Sequence, residues 1–317
     1  MWTRVFVTIL FGAYAAIAAS PNVVIILADD LGTADVGFRG SEIQTPNIDR
    51  LAREGTQFDR FYSFPVCSPT RSALMTGRSP MRLGVAYSVI RPWLSYGLPA
   101  EEHLMPETFR AAGYQTAMAG KWHLGHSQAR FLPHRRGFDE AYGHLNGAID
   151  YYTHVRDGGL DWQRNGRSVR EEGYTTDLLA AEAVRQIRGR DKGRPFFLYL
   201  AFNAPHTPLQ APQALIDKYA RIPDQRRRTF AAMVDAMDSG VGRVLGALDD
   251  EGIAGSTIVL FFSDNGGPTN QGARNTPLRG AKATTFEGGI RVPAVLRWPG
   301  QVRQGEKSKQ VFTAMDV

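Results

Sequence analysis

The chain has 317 residues, of which 43% are hydrophobic and 21% are charged. This composition allows a large buried core and excludes a disordered or fibrous protein. With 37 basic against 31 acidic residues the formal net charge is +6, which suits an anionic ligand, and no nucleic-acid-binding motif accompanies the basic residues.

The first twenty residues have the features of a secretory signal peptide. Arg4 precedes an apolar run over residues 5–19, and residues 16–18 fit an A-x-A cleavage site. The alternative is a membrane anchor, but about 15 apolar residues fall short of the roughly 20 that span a bilayer. We therefore predict a signal peptide at residues 1–20, no stable membrane span, and export to a periplasmic, extracellular or lysosome-like compartment.

The sequence contains one cysteine, Cys67. No intrachain disulfide can form, which is unusual for a small exported protein but acceptable for a large domain with an ample core. A single thiol in an exported chain indicates a chemical role for that residue. The alternative is a buried cysteine that packs as a small hydrophobic side chain.

Apolar runs alternate with helical patterns along the chain. Residues 21–28 form a near-continuous apolar run, which is typical of a strand buried on both faces. Thr45 and Pro46 supply an N-cap and a first-turn proline for a helix over residues 47–54 that stops at Gly55. Further strands are predicted at residues 114–119, 195–202, 257–262 and 290–297, further helices at 106–112, 176–187 and 227–250, and long loops at 87–99 and 157–173.

This alternation predicts an α/β fold, with a large, mostly parallel sheet sandwiched by helices. In such sheets ligands bind at the carboxyl ends of the strands.

Two polar pairs follow predicted strands, Asp29 with Asp30 and Asp264 with Asn265. Neighbouring carboxylates repel each other unless a cation or proton intervenes, and these four oxygen side chains would suit Ca²⁺ or Mg²⁺. Each pair alone is also compatible with a loop turn or a helix cap.

Residues 67–78 read CSPTRSALMTGR, which places Cys67 just before a short helix. Pro69 lies near the first turn of that helix and Gly77 at its end. A group beside the helix N-terminus experiences the positive end of the helix dipole, and Arg71 lies one turn further on. Both features favour an anion or oxyanion next to residue 67.

The C-S-P-T-R run, followed by S-A-L-M-T-G-R, resembles the C-x-P-x-R signature of formylglycine-dependent sulfatases, whose maturation enzyme oxidises the cysteine to an aldehyde. The resemblance extends from about residue 22 to the last residue and implies an alkaline-phosphatase-like fold. Other blocks of that family accompany the signature in the family's order: A-D-D-L-G at 28–32, G-K-W-H-L-G at 120–125, N-A-P-H at 203–206, S-D-N-G-G at 263–267 and P-L-R-G-A-K at 277–282.

The resemblance implies one calcium ion per chain and conversion of Cys67 to formylglycine by a formylglycine-generating enzyme. An oxygen of the formylglycine would complete the coordination of the metal. The other implied calcium ligands are Asp29, Asp30, Asp264 and Asn265.

The resemblance also assigns the remaining site residues. Arg71 and Lys121 would hold the formylglycine, and His123 would contact its second hydroxyl. His206 and Lys282 would bind the sulfate and serve the leaving oxygen. The implied activity is hydrolysis of a sulfuric ester.

Blocks at residues 135–139, 150–154 and 206–212 look most like the arylsulfatase B, or N-acetylgalactosamine-4-sulfatase, branch. This implies a sulfated sugar or an aryl sulfate as the substrate. Tyr151 and Tyr152 are interpreted either as a surface that stacks on a sugar ring or as a packed loop anchor.

Family members typically carry a smaller C-terminal subdomain with an antiparallel sheet. Residues 312–317 look like the start of a helix that normally continues, so we expect residues 21–317 to be a truncated N-terminal catalytic domain. Two alternatives to a sulfatase remain open. One is a phosphate or phosphonate monoester hydrolase of the same superfamily, and the other is a silent protein that binds sulfated glycans.

Overall fold

The computed structural model of the chain describes residues 20–86 and 88–317. The predicted signal peptide, apart from Ser20, lies outside the described residues, as does Tyr87 at the start of the first predicted loop. Within the described ranges, no helix combines the length and the apolar character needed to cross a membrane.

The chain alternates between strands and helices from Asn22 onward. The strands are β1 (Asn22–Ala28), β2 (Thr56–Tyr62), β3 (Gln115–Lys121), β4 (Glu140–His144), β5 (Val155–Arg156), β6 (Gly159–Leu160), β7 (Gln163–Arg164), β8 (Arg167–Ser168), β9 (Phe196–Ala201), β10 (Thr257–Ser263), β11 (Arg291–Arg297) and β12 (Glu306–Thr313). The helices are α1 (Pro46–Glu54), α2 (Cys67–Thr76), α3 (Met105–Ala111), α4 (Thr175–Arg188), α5 (Gln213–Lys218), α6 (Gln225–Asp250) and α7 (Glu287–Ile290).

Ten strands form one sheet, in the order β12-β2-β11-β10-β1-β9-β3-β4-β7-β8. The central strands β10, β1, β9, β3 and β4 are parallel to one another. Towards the edges, β11 and β7 run antiparallel to their neighbours on both sides. The predicted α/β fold with a large, mostly parallel sheet is confirmed.

Both faces of the sheet are covered, as the apolar run of β1 predicts. Val24 and Ile26 face one core, which they share with residues of α1, α4 and α6. Ile25 and Leu27 face the other core, which includes residues of α2. Successive side chains of a strand point to opposite faces, so a strand buried on both sides must be apolar at nearly every position.

The cap of α1 differs from the sequence-based prediction. Thr45 occupies the N-cap position, but its hydroxyl makes no capping hydrogen bond to the helix and donates to Asp49 Oδ1 over 3.0 Å. The backbone amides of Asn47 and Ile48 donate instead to Asp238 Oδ1 on α6, over 3.1 Å and 2.8 Å. A carboxylate from a distant helix therefore satisfies the first turn of α1.

The expected start of a helix at residues 312–317 is wrong. Phe312 and Thr313 belong to β12, which pairs in parallel with β2. The ring of Phe312 packs edge-on against Phe58 with the ring centroids 4.9 Å apart. The predicted loop at residues 157–173 also contains the short strands β6, β7 and β8, two of which extend the main sheet.

Candidate active site

The ends of β1 and β10 bring together the two polar pairs, Asp29 with Asp30 and Asp264 with Asn265. β1 and β10 are parallel neighbours whose last residues, Ala28 and Ser263, are register partners. Asp30 therefore follows β1 beside Asp264, and its amide donates to Asp264 Oδ1 over 3.2 Å. The Asn265 amide group donates to Asp30 Oδ1 over 2.7 Å. The two pairs thus form one buried polar cluster at the carboxyl edge of the sheet.

Cys67 is the first residue of α2 rather than the residue before it. Its Sγ lies 3.5 Å from Asp29 Oδ1 and 3.7 Å from the Lys282 ammonium, and the residue is only 1% exposed. Burial, followed by the Asp264 carboxylate, raises the pKa of the thiol. Residue 67 therefore points into the polar cluster as a neutral thiol.

Two buried cations compensate the carboxylates of the cluster. The Arg71 guanidinium donates to Asp264 Oδ2 over 2.9 Å and 3.0 Å, and to the Lys121 carbonyl over 2.8 Å. The Lys121 ammonium donates to Asp29 Oδ2 over 2.5 Å. All of these side chains are inaccessible to solvent, so each charge depends on its partner for compensation.

His206 and Lys282 form the open side of the cluster. The Lys282 ammonium donates to Asp30 Oδ2 over 2.8 Å, and His206 Nε2 lies 3.6 Å from the same oxygen. The two side chains are 19% and 17% exposed, unlike the fully buried Arg71 and Lys121. Burial lowers the pKa of His206, although Asp30 partly opposes the shift. A substrate would therefore meet a cation and a neutral imidazole first.

His123 is close to the cluster without touching its carboxylates. Its Nε2 lies 3.1 Å from the Ile90 carbonyl, and its own carbonyl accepts a hydrogen bond from Ser68, the residue after Cys67. Burial, followed by Lys121, lowers the pKa of His123. Among the described residues its Nδ1 has no hydrogen-bond partner, so that nitrogen remains available to another group.

The cluster fits a hard cation. One ligand atom each of Asp29, Asp30, Cys67 and His206 lie within 4.8 Å of one another. Burial, followed by Asp264, raises the pKa of Asp29 to about 7, so a cation bound here would favour the ionised carboxylate. In the described part of the chain the buried Oδ1 of Asn265 has no hydrogen-bond partner. Buried carboxylate and amide oxygens of this kind are ligands that Ca²⁺ prefers.

His144 lies at the edge of this site and is not among the residues predicted from the sequence. His144 ends β4 as the register partner of Lys121, is fully buried, and has no hydrogen-bond partner for either ring nitrogen among the described residues. Burial, followed by Lys121, lowers its pKa. Because β4 was not predicted, no sequence signal placed this histidine at a strand end.

Tyr151 supports the loop that contains His206. Its hydroxyl donates to the carbonyls of Asn203 and His206 over 2.7 Å and 2.8 Å, and the residue is 1% exposed. The loop-anchor interpretation therefore holds for Tyr151. Tyr152 is 44% exposed and remains available to a ligand.

Three comparisons relate the chain to known proteins. A model of the Sulfatase family matches residues 21–317. Arylsulfatase J of Mus musculus is 37% identical over 306 residues, which cover 94% of this chain and 51% of that protein. N-acetylgalactosamine-6-sulfatase of Homo sapiens is 37% identical over 322 residues, which cover 94% and 60%. The chain thus spans between half and three fifths of the length of these curated relatives.

A solved structure agrees with the same assignment. The crystal structure of Ps i-CgsB in complex with k-i-k-neocarrahexaose matches this fold with a TM-score of 0.90 at 39% sequence identity. The match covers 94% of this chain and 70% of that one.

Proposed function

This chain belongs to the sulfatase family, and on that premise we propose that the protein is a sulfuric ester hydrolase that removes sulfate from a sulfated sugar. The main supporting observation is that Cys67, Lys121 and Lys282 converge on the acidic pairs at one sheet edge. We also propose export by the predicted signal peptide at residues 1–20.

We propose that Cys67 is converted to formylglycine and that a calcium ion binds beside it. When bound, calcium would add positive charge that stabilises an ionised hydroxyl and the transferring sulfate. Its proposed ligands are an oxygen of the converted residue 67 together with Asp29, Asp30, Asp264 and Asn265.

An aldehyde explains why a cysteine would be converted at this position. Its hydrate has two hydroxyls on one carbon. The oxygen of one hydroxyl bonds to sulfur while the bond from sulfur to the sugar oxygen breaks, and the sugar leaves as an alcohol. When the other hydroxyl loses its proton, the carbonyl re-forms and sulfate departs. Water then restores the hydrate. A serine ester has no second hydroxyl and would remain sulfated.

The proposed roles of the surrounding side chains follow from their exposure. Lys121 and Arg71 are buried and fixed, so they would hold residue 67 and supply preorganised positive charge. Lys282 and His206 face the opening, so they would bind the sulfate and deliver a proton to the leaving oxygen. The free Nδ1 of the neutral His123 would accept the proton of the second hydroxyl.

A sulfated sugar is the favoured substrate class. One relative is named for N-acetylgalactosamine-6-sulfate, and Ps i-CgsB was solved with a neocarrahexaose. The partly exposed Lys282 and the net positive charge of +6 suit an anionic glycan.

The test combines a mass measurement with an activity assay. In protein from its natural host, the peptide that contains residue 67 should weigh about 18 Da less than its unmodified form, as expected for a thiol converted to an aldehyde. The same preparation should release inorganic sulfate from sulfated oligosaccharides. Active protein with unmodified Cys67 would contradict the mechanism, and faster turnover of an aryl phosphate than of an aryl sulfate would favour a phosphoester hydrolase.

A further inference from the structure

An exposed arginine lies on an aromatic ring in the loop that contains Lys282. The Arg279 guanidinium carbon is 3.9 Å from the centroid of the Phe286 ring. Other pairs of this kind among the described residues have separations of 4.5 to 5.7 Å. Arg279 is exposed and Phe286 is 45% exposed, so this close contact is made at the surface.

Arg279 differs from nearby arginines in having no acidic partner. Arg274 pairs with Glu42 at 2.8 Å and Arg291 with Glu287 at 3.2 Å. Of the described residues, none forms an ion pair with Arg279 within 4.0 Å, whereas its neighbours along the chain do. An aromatic face attracts a guanidinium without neutralising it. The ring therefore orients Arg279 while its charge remains available to an anion.

The backbone around Arg279 is fixed. The Arg279 carbonyl accepts from the Gly288 amide over 2.7 Å. The Asn275 side chain exchanges two hydrogen bonds with the Gly267 backbone, over 2.9 Å and 2.7 Å. Arg279 lies three positions before Lys282, which limits their Cα separation to about 11 Å. Since Lys282 reaches Cys67, Arg279 lies just outside the reacting centre.

We propose that Arg279, oriented by Phe286, binds an anionic group on the sugar unit adjacent to the one that bears the reacting sulfate. The inference rests on the proposed function and narrows its substrate to glycans with negative charge on consecutive units. A planar guanidinium donates two parallel hydrogen bonds to an oxyanion. A second sulfate ester and a uronate carboxylate share this chemistry.

The experiment measures selectivity in the complete natural polypeptide with residue 67 converted. Three disaccharides have the same reacting sulfate, and the neighbouring unit is neutral, sulfated or a uronate. We expect the wild-type kcat/KM to be at least tenfold higher for one or both charged disaccharides than for the neutral one. Preference for the sulfated unit alone identifies a second sulfate, and equal preference for both identifies general anion binding.

Variants assign that selectivity to Arg279. Arg279→Ala should reduce the ratio to near one, and Arg279→Lys should retain part of it because the charge remains without the planar stack. The matched control is Arg188→Ala, which removes an exposed arginine at the end of α4. Arg188 lies shortly before the start of β9. It is therefore on the side of the sheet where the parallel strands begin, whereas the candidate site is on the side where they end. An Arg279→Ala variant with the wild-type ratio would overturn the inference.

Binding measurements separate this inference from the proposed function. If the wild-type protein releases no sulfate from any of the disaccharides, the proposed hydrolase function fails. Calorimetry with the same disaccharides still tests Arg279, because its loss should then weaken binding of the charged disaccharides about tenfold relative to the neutral one. Equal affinities of wild type and Arg279→Ala for all three would contradict the inference. Unchanged melting temperatures would exclude a purely structural effect.

Discussion

Each cation at the carboxyl edge of the sheet is held by a carboxylate that lines the same cluster. Lys121 is fixed by Asp29, Arg71 by Asp264, and Lys282 by Asp30. Such positions are set before a ligand arrives, which is what electrostatic stabilisation of a transition state requires.

Replacing the proposed nucleophile should trap an intermediate. Cys67→Ser should keep the fold, because the substitution exchanges one buried sulfur for a slightly smaller oxygen and leaves the rest of the side chain unchanged. Its single hydroxyl can accept sulfate once but cannot drive elimination. We expect turnover to stop and the peptide to gain about 80 Da, the mass of a sulfate ester.

A second variant checks the same step. His123→Ala in the converted enzyme should accumulate the same kind of covalent sulfate ester, because the proposed base for the second hydroxyl is missing. A Cys67→Ser protein that turns over at the wild-type rate would refute the formylglycine mechanism.

The unconverted thiol should be inert in the folded protein. Cys67 is 1% exposed, and burial raises the pKa of its thiol. A reagent therefore reaches the sulfur poorly, and little of the thiol is in the reactive thiolate form. We expect iodoacetamide at pH 8 to label it slowly in native protein and completely in denaturant, as measured by intact mass. As the sequence has one cysteine, every label reports on this residue. Rapid labelling of folded protein would show that residue 67 is accessible.

Contacts between elements, rather than within them, stabilise several helix and strand ends. Asp238 on α6 caps α1, and Glu182 on α4 receives hydrogen bonds from Arg164 on β7 over 2.8 Å and 2.9 Å. Asp238 therefore links α6 to α1, and Glu182 links α4 to β7 near the edge of the sheet.

Loss of the α1 cap should destabilise the fold. Asp238→Ala leaves the first amides of α1 buried without an acceptor, and we expect the free energy of unfolding to fall by about 1–2 kcal/mol. Denaturant titration measures the change. The control on the same helix is Asp249→Ala, whose carboxylate is 40% exposed and whose loss should cost under about 0.5 kcal/mol. Equal effects of the two substitutions would contradict the capping role.

The Glu182 contact should weaken in acid. Burial disfavours ionisation of Glu182, but hydrogen bonds from Arg185 and Arg164 outweigh it and lower the pKa from 4.5 to about 2. A depressed pKa contributes stability that is present above pH 4.5 and is lost as the pH falls towards 2. The destabilisation caused by Glu182→Gln should therefore be largest near pH 7 and shrink below pH 4. A difference in unfolding free energy that is constant with pH would disprove this origin.

At the scale of the whole molecule, the proposed metal would join the two central strands. Four of its five proposed ligands follow β1 and β10, which lie next to each other in the sheet but are more than 200 residues apart in sequence. An ion bound only to the folded state adds its binding free energy to stability, about 2.7 kcal/mol at a hundredfold excess over Kd.

Removing calcium should affect activity and stability together. Exhaustive chelation should stop sulfate release and lower the melting temperature, and added calcium should restore both. Asp264→Ala should resemble the chelated protein and respond little to calcium. Unchanged turnover after chelation would exclude the calcium role.

The sequence by itself determined four of the five central strands, all except β4, and the position of the two polar pairs at strand ends. Apolar runs such as residues 21–28 mark strands buried on both faces, because burial constrains every position locally. The polar pairs at residues 29–30 and 264–265 lie at strand ends by the same local pattern, but they meet because the folded chain makes β1 and β10 parallel neighbours, whose carboxyl ends share one edge. Local motifs around Cys67 and Lys282 predicted further side chains of the candidate site.

Only the tertiary structure decided the rest. β2, β4 and β12 combine polar and apolar residues, and their strand character depends on partners far away in the chain. The cap of α1 comes from Asp238, about 190 residues away, and His144 reaches the site only because β4 pairs with β3. Arg279 and Phe286 likewise meet through a folded loop. Such contacts depend on which segments pack together, and local sequence patterns contain no signal for that choice.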